Sequence, residues 1–252
     1  MTSSQNSVTR SEAEEWLAGA SVDAAVSALR PDYRALLLTA DGLRGGPSDE
    51  TSERFLAAAE DTARRVLAGQ PPEQLPHPAA WREAYRAFGA KPQRTRPSVE
   101  ALLRRVEPDG LPRIDRITDV YNAVSIGHLL PIGGEDRAAY AGPPRLVRAE
   151  GSEPFDTTAG GEPVVEPPEP GEVVWCDQIG VTCRRWNWRQ GTRTRITTDT
   201  SSAVFILDAL DPLTDDELHA AADALTDGLL GLSPDAVVHR RLIGAADRTT
   251  GS

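Results

Sequence analysis

The stretch Ile114-Asp115-Arg116-Ile117-Thr118-Asp119-Val120-Tyr121-Asn122-Ala123-Val124-Ser125 is the one on which the fold turns. Ile114, Ile117, Tyr121, Val124 and, further on, His128 recur at helical spacing, which predicts a helix over about residues 114–129 with one apolar stripe. Asp119, Asn122 and Ser125 stand beside that stripe one turn apart, so polar groups run along the margin of a packing face. His128, on the stripe itself, reads as a core residue more readily than as a base. The string Pro131-Ile132-Gly133-Gly134-Glu135-Asp136 follows at once, a glycine loop that begins with proline and ends in two carboxylates. Such a loop either lets backbone amides approach a ligand or makes a tight turn.

Upstream, residues 81–89 predict a short helix closed by a glycine, and Ser98 is placed to cap a helix carrying Val99, Leu102, Leu103 and Val106. Residues 33–39 read as a buried strand ended by Asp41-Gly42, and residues 48–69 as a helix with Phe55, Leu56, Ala59, Ala63, Val66 and Leu67 on one face. The four prolines of residues 71–78 mark the best internal boundary. Downstream, residues 144–150 alternate as a strand does, and residues 163–171 are expected as a proline-rich exposed loop. Residues 172–176 and 181–186 form a hairpin about 177–180, and residues 203–207 are a further buried strand. Thr214 and Glu217 make a capping box for a last helix with Leu218, Ala221, Ala222, Leu225 and Leu229 inward. There is no internal repeat. Helices and strands fall in separate blocks, which gives an α+β class.

The 252 residues are 39% hydrophobic and 26% charged, a globular mixture large enough for a real core. No apolar run approaches the roughly eighteen residues of a membrane span, and the polar start lacks the basic and apolar regions of a secretory leader. The expectation is a cytoplasmic protein with no membrane partner. Cys176 and Cys183 form one C-x6-C pair without clustered histidines, which is neither a disulfide framework nor a zinc signature. Buried free thiols, no metal and no cofactor are expected. No nucleophile elbow, phosphate-binding loop or dinucleotide fingerprint occurs.

The net charge of −11 argues against nonspecific coating of nucleic acid and against DNA as a partner. The cations are nonetheless oddly distributed: twenty-six arginines accompany one lysine, Lys91, a bias that a GC-rich genome explains, so their placement is the informative part. Arg184-Arg185-Trp186-Asn187-Trp188-Arg189-Gln190 is the most unusual string, and residues 181–195 hold five arginines and no acid. Arginine with aromatic rings holds phosphates and stacks on bases. The same string also suits a strand pair whose tryptophans fill core and whose arginines meet the surplus carboxylates. A second region, residues 82–116, is net +4 and sets Lys91, Arg94 and Arg96 in a proline-bounded loop. Together the two point to a phosphate-bearing partner.

The order of motifs resembles the B3/B4 domain of the bacterial phenylalanyl-tRNA synthetase β subunit, and more closely the free-standing B3/B4-domain proteins. The resemblance begins at Trp81-Arg82-Glu83-Ala84-Tyr85 and Phe88-Gly89 and is most specific in the 114–125 helix and the Pro131 to Asp136 string. It continues through residues 172–177, 184–190 and 196–200. It implies a B3/B4-like mixed sheet flanked by helices over residues 78–232. An N-terminal α/β extension, residues 1–77, would pack on it as part of the same globule, and residues 233–252 would be a C-terminal tail. The synthetase domain removes tyrosine wrongly attached to the phenylalanine tRNA. By position, Asn122, Pro131, Gly133, Asp136 and Thr200 line the corresponding pocket, and Ser125 with the string Arg185, Trp186, Asn187, Trp188 and Arg189 completes the candidate binding set.

The departures bear on activity. Gly133 stands where the family has a histidine, Thr192 where it has a glutamate, and Asp115 replaces the usual asparagine. Two groups that position substrate and water are thereby withdrawn, so no catalytic residue is assigned. The resemblance implies binding of tRNA or of an aminoacyl-tRNA end, with trans-editing of mischarged tRNA by an aminoacyl-tRNA deacylase activity as an open extension. The alternative is a non-catalytic binder of a free amino-acid-like molecule, with Arg189 on its carboxylate and Trp186 or Trp188 stacked on its side chain.

Overall fold

The apolar run Leu36-Leu37-Leu38 lies in a strand buried on both faces. In the computed structural model, which describes residues 11–107 and 109–245, that strand is β2. The elements in chain order are α1 (Glu12–Ala18), β1 (Ser21–Val22), α2 (Ala24–Leu29), β2 (Arg34–Asp41), α3 (Glu50–Leu67), α4 (Pro76–Ala87), α5 (Ser98–Val106) and α6 (Arg116–His128). Then come β3 (Ile132–Asp136), β4 (Arg145–Arg148), β5 (Phe155–Ala159), β6 (Glu162–Glu166), β7 (Val173–Cys176), β8 (Val181–Arg184), β9 (Arg189–Gln190), β10 (Ser202–Ala209), α7 (Asp215–Leu232) and β11 (Val237–Gly244).

The class is α+β, built on two main sheets and a small two-stranded one, β5-β6. One has the order β11-β2-β10-β3 and is antiparallel throughout. The other, β1-β4-β7-β8-β9, is mixed, with β1 parallel to β4 and the rest antiparallel. Strand alternation assigns side chains to two cores. Leu36, Leu38, Phe205 and Leu207 join Ile117, Tyr121, Val124 and the inner face of α7 in one cluster. Ala35, Leu37 and Ile206 join Trp81, Tyr85, Trp175 and Trp186 in the other, between the sheets.

Helix α6 begins at the N-cap Asp115, whose carboxylate accepts from the Thr118 amide at 2.7 Å, and ends at Leu129 in the left-handed region. It is buried nearly all round, because Ala123 and Ile126 face a third cluster formed with α3 and α5. Two of the three polar residues beside its stripe, Asp119 and Ser125, are therefore bonded inside the protein. Asp119 accepts from Ser52 Oγ at 3.1 Å and from the Ile114 amide at 3.0 Å, and Ser125 Oγ donates to the Leu130 carbonyl at 2.7 Å.

Four expectations change. Ile114 precedes the helix and is 57% exposed, since Asp115 has taken the cap. Ser98 is the first helical residue of α5, after the N-cap Pro97, and its hydroxyl has no partner among the described residues. Within residues 163–171, the segment up to Glu166 belongs to β6, an antiparallel partner of β5. Residues 237–244, expected in a tail, form β11 along the full length of β2. The interruption His239-Arg240-Arg241 hides that strand's alternation; Arg240 is bonded to Asp223 on α7, and Arg241 to carbonyls of Leu17 and Ala20.

Candidate functional site

A cavity of about 260 Å³ opens where the edge strands β3 and β9 of the two sheets meet, beside α5 and α6. Gln190 Nε2 donates to the Gly134 carbonyl at 2.9 Å and ties the two edges together. Alternation along β10 turns Ile206 and Asp208 toward the cavity, away from the cluster that takes Phe205 and Leu207. In the same way β3 offers Gly133 and Glu135. The residues expected as a glycine loop are thus an edge strand, and Gly134 is required there because a Cβ would lie 2.8 Å from the Tyr121 ring.

The far wall is the turn from β8 to β9. Arg185 and Trp186 both adopt positive φ, 49° and 68°, a conformation costing about 1–3 kcal/mol for a residue with a side chain. Packing holds it. Trp186 is fully buried edge-on to Tyr33 at 5.0 Å and Trp81 at 5.3 Å, and its amide donates to the Val173 carbonyl. Asn187 is anchored twice, accepting from Tyr85 Oη at 2.9 Å and donating to Asp208 Oδ2 at 3.3 Å. The turn also sends Trp188 to the mouth, with the Arg185 guanidinium 4.5 Å from its ring centre.

Two carboxylates occupy the floor. Asp208 accepts from Tyr33 Oη at 2.5 Å, and burial pushes its carboxyl up to about 7 against the lowering effect of its Tyr33 and Asn187 bonds. Glu135 Oε2 accepts from Thr194 Oγ1 at 2.6 Å and Tyr140 Oη at 2.8 Å, and burial raises this carboxyl too. The Cys183 thiol, pushed well up by burial, feels both charges. Cys176 and Cys183 are free and buried. Among the described residues no group of three or more His, Cys, Asp or Glu side chains is gathered to hold a metal.

Of the candidate residues, Asn122, Gly133, Trp186, Asn187, Trp188 and Arg189 border the cavity. Asn122 is 7% exposed and its amide bonds no described residue. The other five lie off the lining. Ser125 closes the end of α6, and the Pro131 carbonyl accepts from the Asp208 amide. Asp136 caps the turn after β3 and accepts from Thr200 Oγ1 at 2.9 Å, so these two serve each other. Arg185 is drawn to Glu172 at 3.4 Å. Glu135, Asp208, Tyr121, Trp175, Cys183, Gln190 and the α5 residues Ser98, Ala101, Leu102 and Arg105 were not anticipated. For Asp208 a signal existed, an acid set between Leu207 and Ala209 in an apolar run.

The basic string is largely neutralised. Arg184 grips Glu172 through two bonds of 2.8 and 2.9 Å, and Arg193 grips Asp177 through two of 2.9 Å. In the second region Arg82, Arg96 and Arg104 surround the buried Glu100. Arg94, Arg105 and Arg189 pair with no carboxylate among the described residues. An adjoining cleft of about 390 Å³, lined by Arg94, Arg96, Arg104, Arg105 and Trp188, shares Ala101, Arg105 and Trp188 with the cavity. The two arginine-rich regions, far apart in sequence, therefore meet at one mouth.

An α+β domain with an aromatic-walled cavity between two sheets is the class these features define. The B3/4 domain model matches residues 80–233, more than half of the chain, and the chain belongs to the B3/4 domain family. Among solved structures it is similar to an N-terminal fragment of the phenylalanyl-tRNA synthetase beta-subunit from Pyrococcus horikoshii, at 13% identity and a TM-score of 0.43. That match covers 89% of this chain and 50% of the fragment, so the chain spans about half the length of its structural relative. No curated protein matches it. Among the described residues, no helix is long and apolar enough to cross a membrane.

Proposed function

We infer that the cavity binds an amino-acid-like group and that its ligand is the aminoacylated end of a tRNA. The observation that carries this reading is the meeting of Arg94, Arg105 and Arg189 around Trp188, where a small cavity opens into a cationic cleft. At about 260 Å³ the cavity falls just below the range of about 300–1,000 Å³ typical for drug-sized ligands, which suits an amino-acid-sized moiety. The cleft supplies what the attached nucleotides need, cations for phosphate and an indole face for a base. Because the cations are local, the overall charge of −11 opposes only nonspecific binding.

Gel shift with aminoacylated and deacylated total tRNA at low salt tests the reading. The aminoacylated pool is expected to bind more tightly, and Arg94→Ala with Arg105→Ala weakens both pools and lowers the salt slope by about 1.4, roughly 0.7 per lost cation on a single strand. Absence of any complex at low salt refutes it. A free amino-acid-like ligand is the second reading, favoured by a cavity whose own lining includes a charged floor and charged rim without any RNA. Thermal stabilisation by amino acids with no tRNA complex would select it. Trans-editing extends the first reading, and deacylation of a panel of mischarged tRNAs, followed against spontaneous ester loss, decides that extension.

A further inference from the structure

Trp175 and Cys183 are register partners on β7 and β8, and Cys183 is in turn the partner of Gln190 on the edge strand β9. The three side chains therefore form one row on the inner face of their sheet, and all three border the cavity. Gly133 and Ile206, also register partners, line it from the other sheet. Neighbouring strands lie about 4.8 Å apart, which sets Trp175 about 10 Å in from the edge where Gln190 is bonded to Gly134. At this inner end Trp175 is 1% exposed, and its Nε1–H has no hydrogen-bond partner among the described residues. The carboxyls that border the cavity do not serve it: Asp208 accepts from Tyr33 and Asn187, and Glu135 from Thr194 and Tyr140. Trp186 Nε1 forms no hydrogen bond either, but its side chain acts on the Tyr33 hydroxyl, a role that Trp175 has toward no described group.

An indole N–H can only donate, and a buried one left unpaired costs more than a typical hydrogen bond returns. Native proteins rarely leave such a group unserved, and the cavity that Trp175 borders is where a ligand can bring it an acceptor. Charge sets the kind of acceptor. Asp208 and Glu135 border the same cavity while Arg105 and Arg189 stand at its mouth, so a carboxylate carried to the inner end meets like charge. We propose that Trp175 determines specificity: its Nε1–H donates to a neutral oxygen at the far end of the ligand's side chain, and a side chain ending in hydrocarbon or in a carboxylate is refused. The depth of the row calls for a side chain long enough to reach it. This rests on the reading that the cavity holds an amino-acid-like group, and it names that group's side-chain chemistry without requiring RNA.

The test is calorimetric titration of the full chain with glutaminamide, homoleucinamide and the α-amide of glutamic acid. The three share one shape and end in a carboxamide, a hydrocarbon and a carboxylate. Glutaminamide binds about tenfold more tightly than either of the others, or better. Trp175→Phe, which keeps a ring and removes the donor, cuts its lead over homoleucinamide to about threefold or less. In the nitrogen–proton correlation spectrum, one of the five indole signals moves downfield with glutaminamide and not with homoleucinamide, and that signal is missing from Trp175→Phe. Circular dichroism checks that the variant is folded; if it is not, the wild-type preference decides alone. Equal binding of glutaminamide and homoleucinamide, tighter binding of the carboxylate, or an undiminished lead in the folded variant overturns the inference and leaves the amino-acid reading of the cavity standing. Binding of none of the three at millimolar concentration overturns both.

Discussion

Replacing Asp208 with Asn gives a stability difference that depends on pH in a way set by one side chain. The folded protein keeps this carboxyl protonated up to about 7, whereas the unfolded chain releases the proton near the ordinary value of 3.8. Between those limits the folded state binds more protons, so the stabilisation is complete below 3.8 and is lost as pH rises toward 7. The slope is about 1.4 kcal/mol per pH unit, or about 4 kcal/mol over the interval. The variant lacks this term. It retains an acceptor for Tyr33 Oη, and the donor clash it creates with Asn187 Nδ2 shifts its whole curve without a pH slope. Urea unfolding of both proteins from pH 4 to 8 gives the two curves, and the variant is expected to gain on the wild type by about 4 kcal/mol before levelling near pH 7. His77, lowered by burial to about 4, runs oppositely and costs stability as pH falls from 6.5, but it does so in both proteins and cancels. A flat difference curve refutes the reasoning, since it would mean that Asp208 ionises in the folded protein as it does in water.

Trp186→Ala removes the ring shared by Tyr33 and Trp81 and should cost about 3–5 kcal/mol in urea unfolding, more than a mouth residue of an otherwise rigid pocket would. Glu172→Gln leaves Arg184 buried without its bidentate partner and should cost about 3–5 kcal/mol, whereas Arg94→Ala with Arg105→Ala, exposed and unengaged by carboxylates, should lower stability by at most about 0.5 kcal/mol per site and so the melting temperature by at most about 4 °C.

The helices and strands with local signatures were legible. The capping box of Thr214 and Glu217 stands as expected, and so do the 173–184 hairpin and the helix bearing Tyr121 and Asn122. Trp186 shows what local reading leaves open: the string suggests ligand contact or core, and its ring is core while its edge borders the cavity. The floor was not legible because it is assembled across the chain. The Tyr33 hydroxyl that holds Asp208 comes from 175 residues away. The charge of the arginine string was overstated for the same reason, since the neutralising Glu172 and Asp177 lie outside it.

The position of β2 has a consequence for what counts as one unit of inheritance. Every residue of β10 from Ser202 to Ala209 is matched against Asp41 to Arg34, and β11 lies on the other side of β2. Two of the four strands of that sheet, together with Tyr33, therefore lie outside the matched span of 80–233. A chain trimmed to that span would present β10 as a long, bare, apolar edge, a template for aggregation. The recognisable module and the foldable one have different borders here, and any transplanted version of this pocket must carry residues before position 42 and after position 236 with it.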